Sequence, residues 1–132
     1  MMGTWFAAHV IMYIKYKNME EQNEFPVYEN ICLIEAETVD IAYEKADRIG
    51  RKYEGDSAGT FTWGKKPVEL VFGGIRKVIE CQNSPEELIA KPSGNNKPLD
   101  GSEITYSQFI VDDKEELERL IKGEEVNLLY SE

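Results

Sequence analysis

Between Glu29 and Tyr53 the spacing of apolar residues changes from two to about 3.6 positions, the signature of a strand running into a helix. In residues 29–36, Ile31, Leu33 and Glu35 alternate with Cys32, Ile34 and Ala36. From residue 39 onward, Val39, Ala42, Tyr43, Ala46, Ile49 and Tyr53 fall on one helical stripe, with Asp40, Glu44, Lys45, Asp47, Arg48 and Lys52 opposite. Thr38 carries the hydroxyl of an N-cap, while Gly50 and Gly55 predict fraying after Arg51 to Tyr53 and a stop near Gly55. This unit supplies a long helix to lay on a sheet.

The same reading extends along the chain. Residues 5–17 form the first expected strand, with Phe6, Ala8, Val10, Met12, Ile14 and Tyr16 on one face and Ala7, His9, Ile11 and Tyr13 on the other. Both faces are apolar at its start, which marks a central strand covered on two sides. A polar, acidic connection leads to a second strand beginning near Val27. After the helix, residues 60–63 alternate like a short edge segment bracketed by Gly55, Gly59, Gly64 and Pro67. Residues 68–81 predict a third main strand, bulged or bent at Gly73-Gly74. Ser84-Pro85-Glu86-Glu87 has the form of a capping box, so a short helix is expected from Ser84 to before Pro92. A loop over residues 93–101 precedes a fourth strand, 103–111. A second helix is expected over 114–122, with Asp112 as cap, Glu115 at N3, Leu117, Leu120 and Ile121 inward, and Gly123 as its stop. The apolar tail 126–130 is expected to pair with a sheet edge, in its own subunit or another. The pattern predicts a single α+β domain over residues 1–132: two layers, a mainly antiparallel sheet of four to six strands in the order β-β-α-β-β-α, and one long helix packed on a face.

Composition narrows what such a domain does. The 132 residues carry a formal net charge of −10, which argues against the basic face that tracks a phosphate backbone, so nucleic acid is not an expected partner. An acidic surface suits either solubility or the steering of a basic protein. No apolar run approaches the roughly 20 residues that span a bilayer, and the N-terminal sequence lacks the basic start and small-residue cleavage site of a signal peptide. A cytoplasmic protein without membrane contact is expected. Cys32 and Cys81 lie in apolar strand patterns without a CxxC partner, the pattern of small buried hydrophobes in a reducing compartment.

Candidate chemistry is sparse. The single histidine, His9, lies in the first strand and reads as a packed, hydrogen-bonded residue, not a catalytic base. One His and two unpaired Cys assemble no transition-metal set, and the carboxylates lack EF-hand spacing. Gly73-Gly74 is not a phosphate loop, since neither Gly-x-Gly-x-x-Gly nor Gly-Lys-Ser/Thr is present. No catalytic residue, metal or cofactor is therefore expected. The candidate binding residues are Arg76, Lys77, Glu103 and Tyr106, polar groups projected by strands beside aromatics. Glu35 and Arg76 are each embedded in apolar sequence, where a carboxylate–guanidinium pair would fix strand register. Alternation places Arg76 and Lys77 on opposite faces.

Trp5-Phe6-Ala7-Ala8, Tyr28 to Ala36, Ala42 to Ala46, Phe72-Gly73-Gly74-Ile75-Arg76-Lys77-Val78 and Gly101 to Ser107 occur in the order and spacing of a bacterial family. The chain resembles the domain of unknown function numbered 4288 over about residues 5–109. The resemblance implies no activity, and it leaves the segment between Cys81 and Gly101 and the helix and tail of residues 112–132 as additions. Two functions fit these expectations. One is a non-catalytic binding protein that masks a basic protein partner, as immunity proteins do to toxins. The other is a homo-oligomer that sequesters a small anionic ligand such as a nucleotide signal, with Arg76 and Lys77 as anion contacts and Tyr106 as a ring contact.

Overall fold

The strand with apolar residues on both faces is the centre of the sheet. The structure is a computed structural model that describes residues 3–18, 22–82, 100–126 and the backbone of 129–130. Its elements in chain order are β1 (Thr4–Tyr16), β2 (Phe25–Ala36), α1 (Val39–Lys52), β3 (Thr62–Trp63), β4 (Lys66–Glu80), β5 (Glu103–Val111), α2 (Lys114–Ile121) and β6 (Leu129–Tyr130). The strands lie in the order β3-β4-β1-β2-β5-β6, and every named pairing is antiparallel. The α+β class and antiparallel sheet match expectation. The element order instead runs β-β-α-β-β-β-α-β, because residues 62–63 and 129–130 each contribute a two-residue edge strand. The tail pairs within its own chain, Phe109 opposite Tyr130 and Ile110 opposite Leu129. The helix expected from Ser84 lies outside the described residues.

Register decides which residues share a face. Met12 stands opposite Tyr28, Val10 opposite Asn30 and Ala8 opposite Cys32, so the even-numbered residues of β1 and β2 face one way and the odd-numbered the other. The even face, with Phe6, Ala8, Val10, Met12, Cys32 and Ile34, packs against Ala42 and Ala46 of α1. On the odd face Ile11, Val27, Phe109 and Val111 pack against Leu117 and Leu120 of α2. The helices therefore cover opposite faces. The expected two layers with one long helix become a sheet between a 14-residue and an eight-residue helix. Ile11 is fully buried on the odd face, which contributes roughly 1.5–3 kcal/mol, and among the described residues α2 is the helix that packs over it.

Both helices begin as capping rules require, and the second corrects the expected cap. Thr38 Oγ1 accepts from the Ile41 N–H at 3.2 Å. Asp113, not Asp112, caps α2, accepting from Glu116 N–H at 2.8 Å. The first helical residue is Lys114, so the preceding side chain is the one that reaches N3, which is Glu116 and not Glu115. The buried stripe of α1 is Ala42, Ala46 and Gly50, whereas Val39, Tyr43 and Tyr53 remain exposed. The helix ends at Lys52 with Tyr53 as its C-cap, where the end was expected, and Gly50 within it has a packing role. A Cβ there would come within 2.4 Å of the Phe72 ring, so glycine lets the helix approach β4.

Between α1 and β3 the chain folds back on the outer edge of β4. Gly55 and Leu70 exchange backbone hydrogen bonds of 3.1 and 2.8 Å, and Val68 N–H donates to Phe61 O at 3.0 Å. The Asp56 side chain accepts from Gly59 N–H at 3.1 Å and pairs with Lys17. These bonds fix Phe61 beside the even face. The return into β4 is a two-residue hairpin through Gly64 and Lys65, both with positive φ of 59° and 68°.

Candidate functional site

The even face is not fully covered by α1. Beyond its C-terminal end lies an open groove of about 350 Å³ lined by Met12, Tyr28, Asn30, Tyr53, Phe61, Leu70, Glu103 and Tyr106. The register of β1 and β2 places Met12, Tyr28 and Asn30 in its floor. Tyr106 stands opposite Asn30 on β5, and its ring meets that of Tyr28 at 6.1 Å between centroids with a 54° tilt. Glu103 reaches the same face because β5 shifts register between Ile31 and Cys32, which brings Glu103 opposite Cys32. Its charge is felt below: burial, helped by the Glu103 carboxylate, pushes the Cys32 thiol up to about 11. Tyr53, the C-cap residue of α1, and Phe61 close the groove along its length. Tyr106 is 57 % exposed and Tyr53 47 %, so two of the aromatic rings present large areas to a ligand.

The electrostatics of this groove are one-sided. Of the eight described residues that line it, one is anionic and none cationic. The carbonyl end of α1 adds the negative end of a helix dipole at Tyr53. Burial, then the neighbouring Tyr106, raises the Tyr28 pKa above its ordinary 10.0, which keeps the phenol neutral and its ring available for packing.

The odd face carries a separate polar cluster just past the end of α2. His9 Nδ1 is 2.6 Å from Glu29 Oε2, with side chains 16 % and 17 % exposed. The hydrogen bond from His9 holds the Glu29 carboxyl below its ordinary value of 4.5, against the raising effect of burial and with help from the charges of His9, Arg76 and Lys77. The expected hydrogen-bonded histidine is present, and its partner is Glu29. Arg76 has no bridge to Glu35 or Glu103 in the structure. It donates instead to the Leu120 carbonyl and, at 3.2 Å, to the Glu124 carbonyl, satisfying the C-terminal end of α2. Glu35 offers its backbone N–H to Asp100 at 2.8 Å.

Two register shifts in β4 explain this placement. His9 pairs with Lys77 and Val10 with Ile75, leaving Arg76 as an extra residue; Ile11 pairs with Gly74 and Met12 with Phe72, leaving Gly73. The bulge at the glycine pair is the expected one. The bulge at Arg76 overturns simple alternation, because it swings Arg76 to the face that Lys77 already occupies. Arg76 and Lys77 therefore share the odd face, while Glu103 and Tyr106 share the even face. The four candidates fall into two pairs separated by the thickness of the sheet, so no single ligand contacts Arg76 and Tyr106 together. Tyr53 and Phe61 were invisible as site residues in the sequence, one looking like part of a helix stripe and the other part of a loop. Tyr28 and Asn30 did carry a signal, since they share the parity of Met12.

Among the described residues no group of three or more His, Cys, Asp or Glu is placed to hold a metal ion, and no helix is long and apolar enough to cross a membrane. The family model described as domain of unknown function 4288 matches residues 5–105, a span that includes β1, β2, α1, the folded-back loop, β4 and the start of β5 with Glu103, and ends one residue before Tyr106. No curated protein and no solved structure matches the chain.

Proposed function

We propose that this chain, which belongs to the family of the domain of unknown function 4288, is a non-catalytic cytoplasmic binding protein that docks a basic protein partner on the groove beside the end of α1. The observation that carries the reading is the groove itself: four aromatic rings and a carboxylate, with no cationic residue among the described residues that line it, on a protein of net charge −10. Tyrosine-rich concave surfaces supply rigid amphipathic contact area at low entropic cost, and binding energy concentrates on such anchors. The acidic charge favours encounter with a basic protein. A nucleotide-type ligand finds less support, because its expected anion contacts, Arg76 and Lys77, lie on the far side of the sheet from Tyr106.

Native mass spectrometry of the tagged chain, purified from the cells that make it, tests the reading. A basic protein should co-purify with the wild type and with Lys77→Ala, and should be lost from the double variant Tyr106→Ala, Glu103→Gln. Retention by the groove variant together with loss from Lys77→Ala would transfer the binding surface to the α2 side of the sheet.

A further inference from the structure

We infer that the groove is a receptor for one arginine side chain of that partner, the guanidinium lying against the tyrosine rings and paired with Glu103. The inference rests on the reading of the groove as the docking surface and adds the chemical group it selects.

Three features of the groove converge on a planar cation. The first is ring geometry. Tyr28 and Tyr106 both line the groove with their ring planes tilted 54° to each other, and Tyr53 and Phe61 line it as well, so a side chain entering it meets several rings at different angles. The negative face of an aromatic ring attracts a cation within about 6 Å, and a guanidinium also stacks flat on it. The second is the sign of the surroundings: among the described residues Glu103 is the only charged one that lines the groove, and the carbonyl end of α1 reinforces it. An apolar ligand would cover that carboxylate and leave it unpaired, at a cost that a cation avoids. The third is size. At about 350 Å³ the groove is at the small end of ligand sites, fitting a single long side chain better than a drug-sized cofactor. Asn30 adds an amide oxygen beside Tyr106 as a further acceptor for guanidinium N–H groups.

The same sheet face already holds a smaller version of this contact. Arg51 lies over the Phe72 ring at 5.3 Å from its centroid while its Nε donates to Asp47 at 2.7 Å. Its charge is engaged by its own carboxylate, so it leaves Glu103 to a partner. Arginine suits the site better than lysine because the flat fork pairs with the carboxylate through two N–H groups and covers a ring at the same time, whereas an ammonium is a compact, strongly hydrated point charge.

The full chain is titrated with acetyl-Gly-Arg-Gly-amide, its citrulline counterpart, an uncharged near-isostere, and its lysine counterpart, following backbone amide shifts of Asn30, Tyr53, Phe61 and Tyr106 by NMR. The arginine peptide should bind with a Kd on the order of 1 mM and the citrulline peptide about tenfold more weakly or worse, with lysine between them. Glu103→Gln should bring arginine and citrulline within about twofold of each other, while Tyr106→Ala should weaken both. Because both residues are exposed, the variants should keep the wild-type spectrum elsewhere. Raising salt to about 0.5 M should weaken the arginine and lysine peptides but not the citrulline peptide, an arm that needs no variant. Equal binding of arginine and citrulline peptides overturns the inference and leaves an apolar docking groove. No shift with any peptide at about 10 mM also overturns it, and the partner reading is then judged separately by whether the co-purifying protein survives the groove variant.

Discussion

Arg76 is the residue whose replacement most sharply separates a structural from a binding role. Its guanidinium donates to the carbonyl of Leu120, which also accepts from the Gly123 N–H at 3.1 Å, and to that of Glu124 just beyond α2, tying the helix end to β4. The Leu120 bond is partly buried and the Glu124 bond exposed. A hydrogen bond involving a charged group is worth about 1.5–3 kcal/mol where water is excluded, and much less where water replaces it, so the Leu120 bond dominates. The alkyl stem also covers apolar surface under the helix end. Arg76→Ala should therefore destabilise by about 2.5 kcal/mol, and Arg76→Met, which restores the stem without the donors, by about 1.5 kcal/mol. With a urea m-value of about 2 kcal/mol/M for a chain of this size, the midpoints should fall by roughly 1.2 and 0.7 M. Amide exchange should quicken first in residues 117–124, where the lost acceptors lie. If both variants unfold at the wild-type midpoint with unchanged exchange in α2, the assignment of Arg76 to the helix end is wrong. A simultaneous loss of partner binding would then return Arg76 to the role that its sequence context first suggested.

Three further outcomes follow from the same geometry. Ionised Glu29 stabilises the fold because its folded carboxyl pKa is depressed, so that contribution is complete above the unfolded value of 4.5 and is lost as pH falls through the lower folded value; His9→Asn should shrink this acid-limb slope in pH-dependent urea melts, and an unchanged slope would refute the role of the His9 bond. The Cys32 thiol, fully buried and pushed up to about 11, should resist iodoacetamide at pH about 8 until urea unfolds the chain, while half-buried Cys81 labels at an intermediate rate; fast native labelling of Cys32 would contradict its place beneath α1. Gly74→Ala should cost about 2–3 kcal/mol, since its φ is +151° and the new Cβ would come within 2.7 Å of Ile121 Cγ2; the same change should cost less in an Ile121→Ala background, and an equal cost in both backgrounds would place all of it in the backbone and none in the clash.

How far these residues were readable from the chain depends on what alternation encodes. A period of two reports which side chains share a face, and β1 shows it: Phe6, Ala8, Val10 and Met12 pack with Ala42 and Ala46 of α1, and Ile11 packs with Leu117 and Leu120 of α2. It does not say which helix takes which face. The apolar stripe of the second helix was legible in Leu117, Leu120 and Ile121, but its docking on the face opposite α1 depends on Ile11 requiring a cover and on glycines at 73 and 74 leaving room for Ile121. The stripe of α1 was misaligned for a related reason. Large apolar residues dominate a hydrophobic pattern, yet the surface in contact with the sheet is built from Ala42, Ala46 and Gly50, because close approach to Phe72 selects small residues.

The candidate site fails to be legible at the points where parity itself breaks. The bulge at Arg76 inserts one residue and carries the guanidinium to the side held by Lys77, and the shift before Glu103 turns that carboxylate toward the groove. Both events invert an assignment that strict alternation makes with confidence, and neither has a glycine at the inserted position to announce it. Bulges re-aim side chains while the rest of the sheet keeps its register, so they are a natural means of bringing a charge onto an otherwise apolar face. Here one bulge gives Arg76 to the end of α2 and the other gives Glu103 to the tyrosines. The remaining walls, Tyr53 and Phe61, depend on the Gly55–Leu70 bridge that folds the loop back onto β4. That contact joins residues 15 apart in sequence, beyond the reach of any local pattern. The groove is therefore built from legible strand residues and illegible loop residues in combination, and its charge preference comes from the single position where the strand departs from its period.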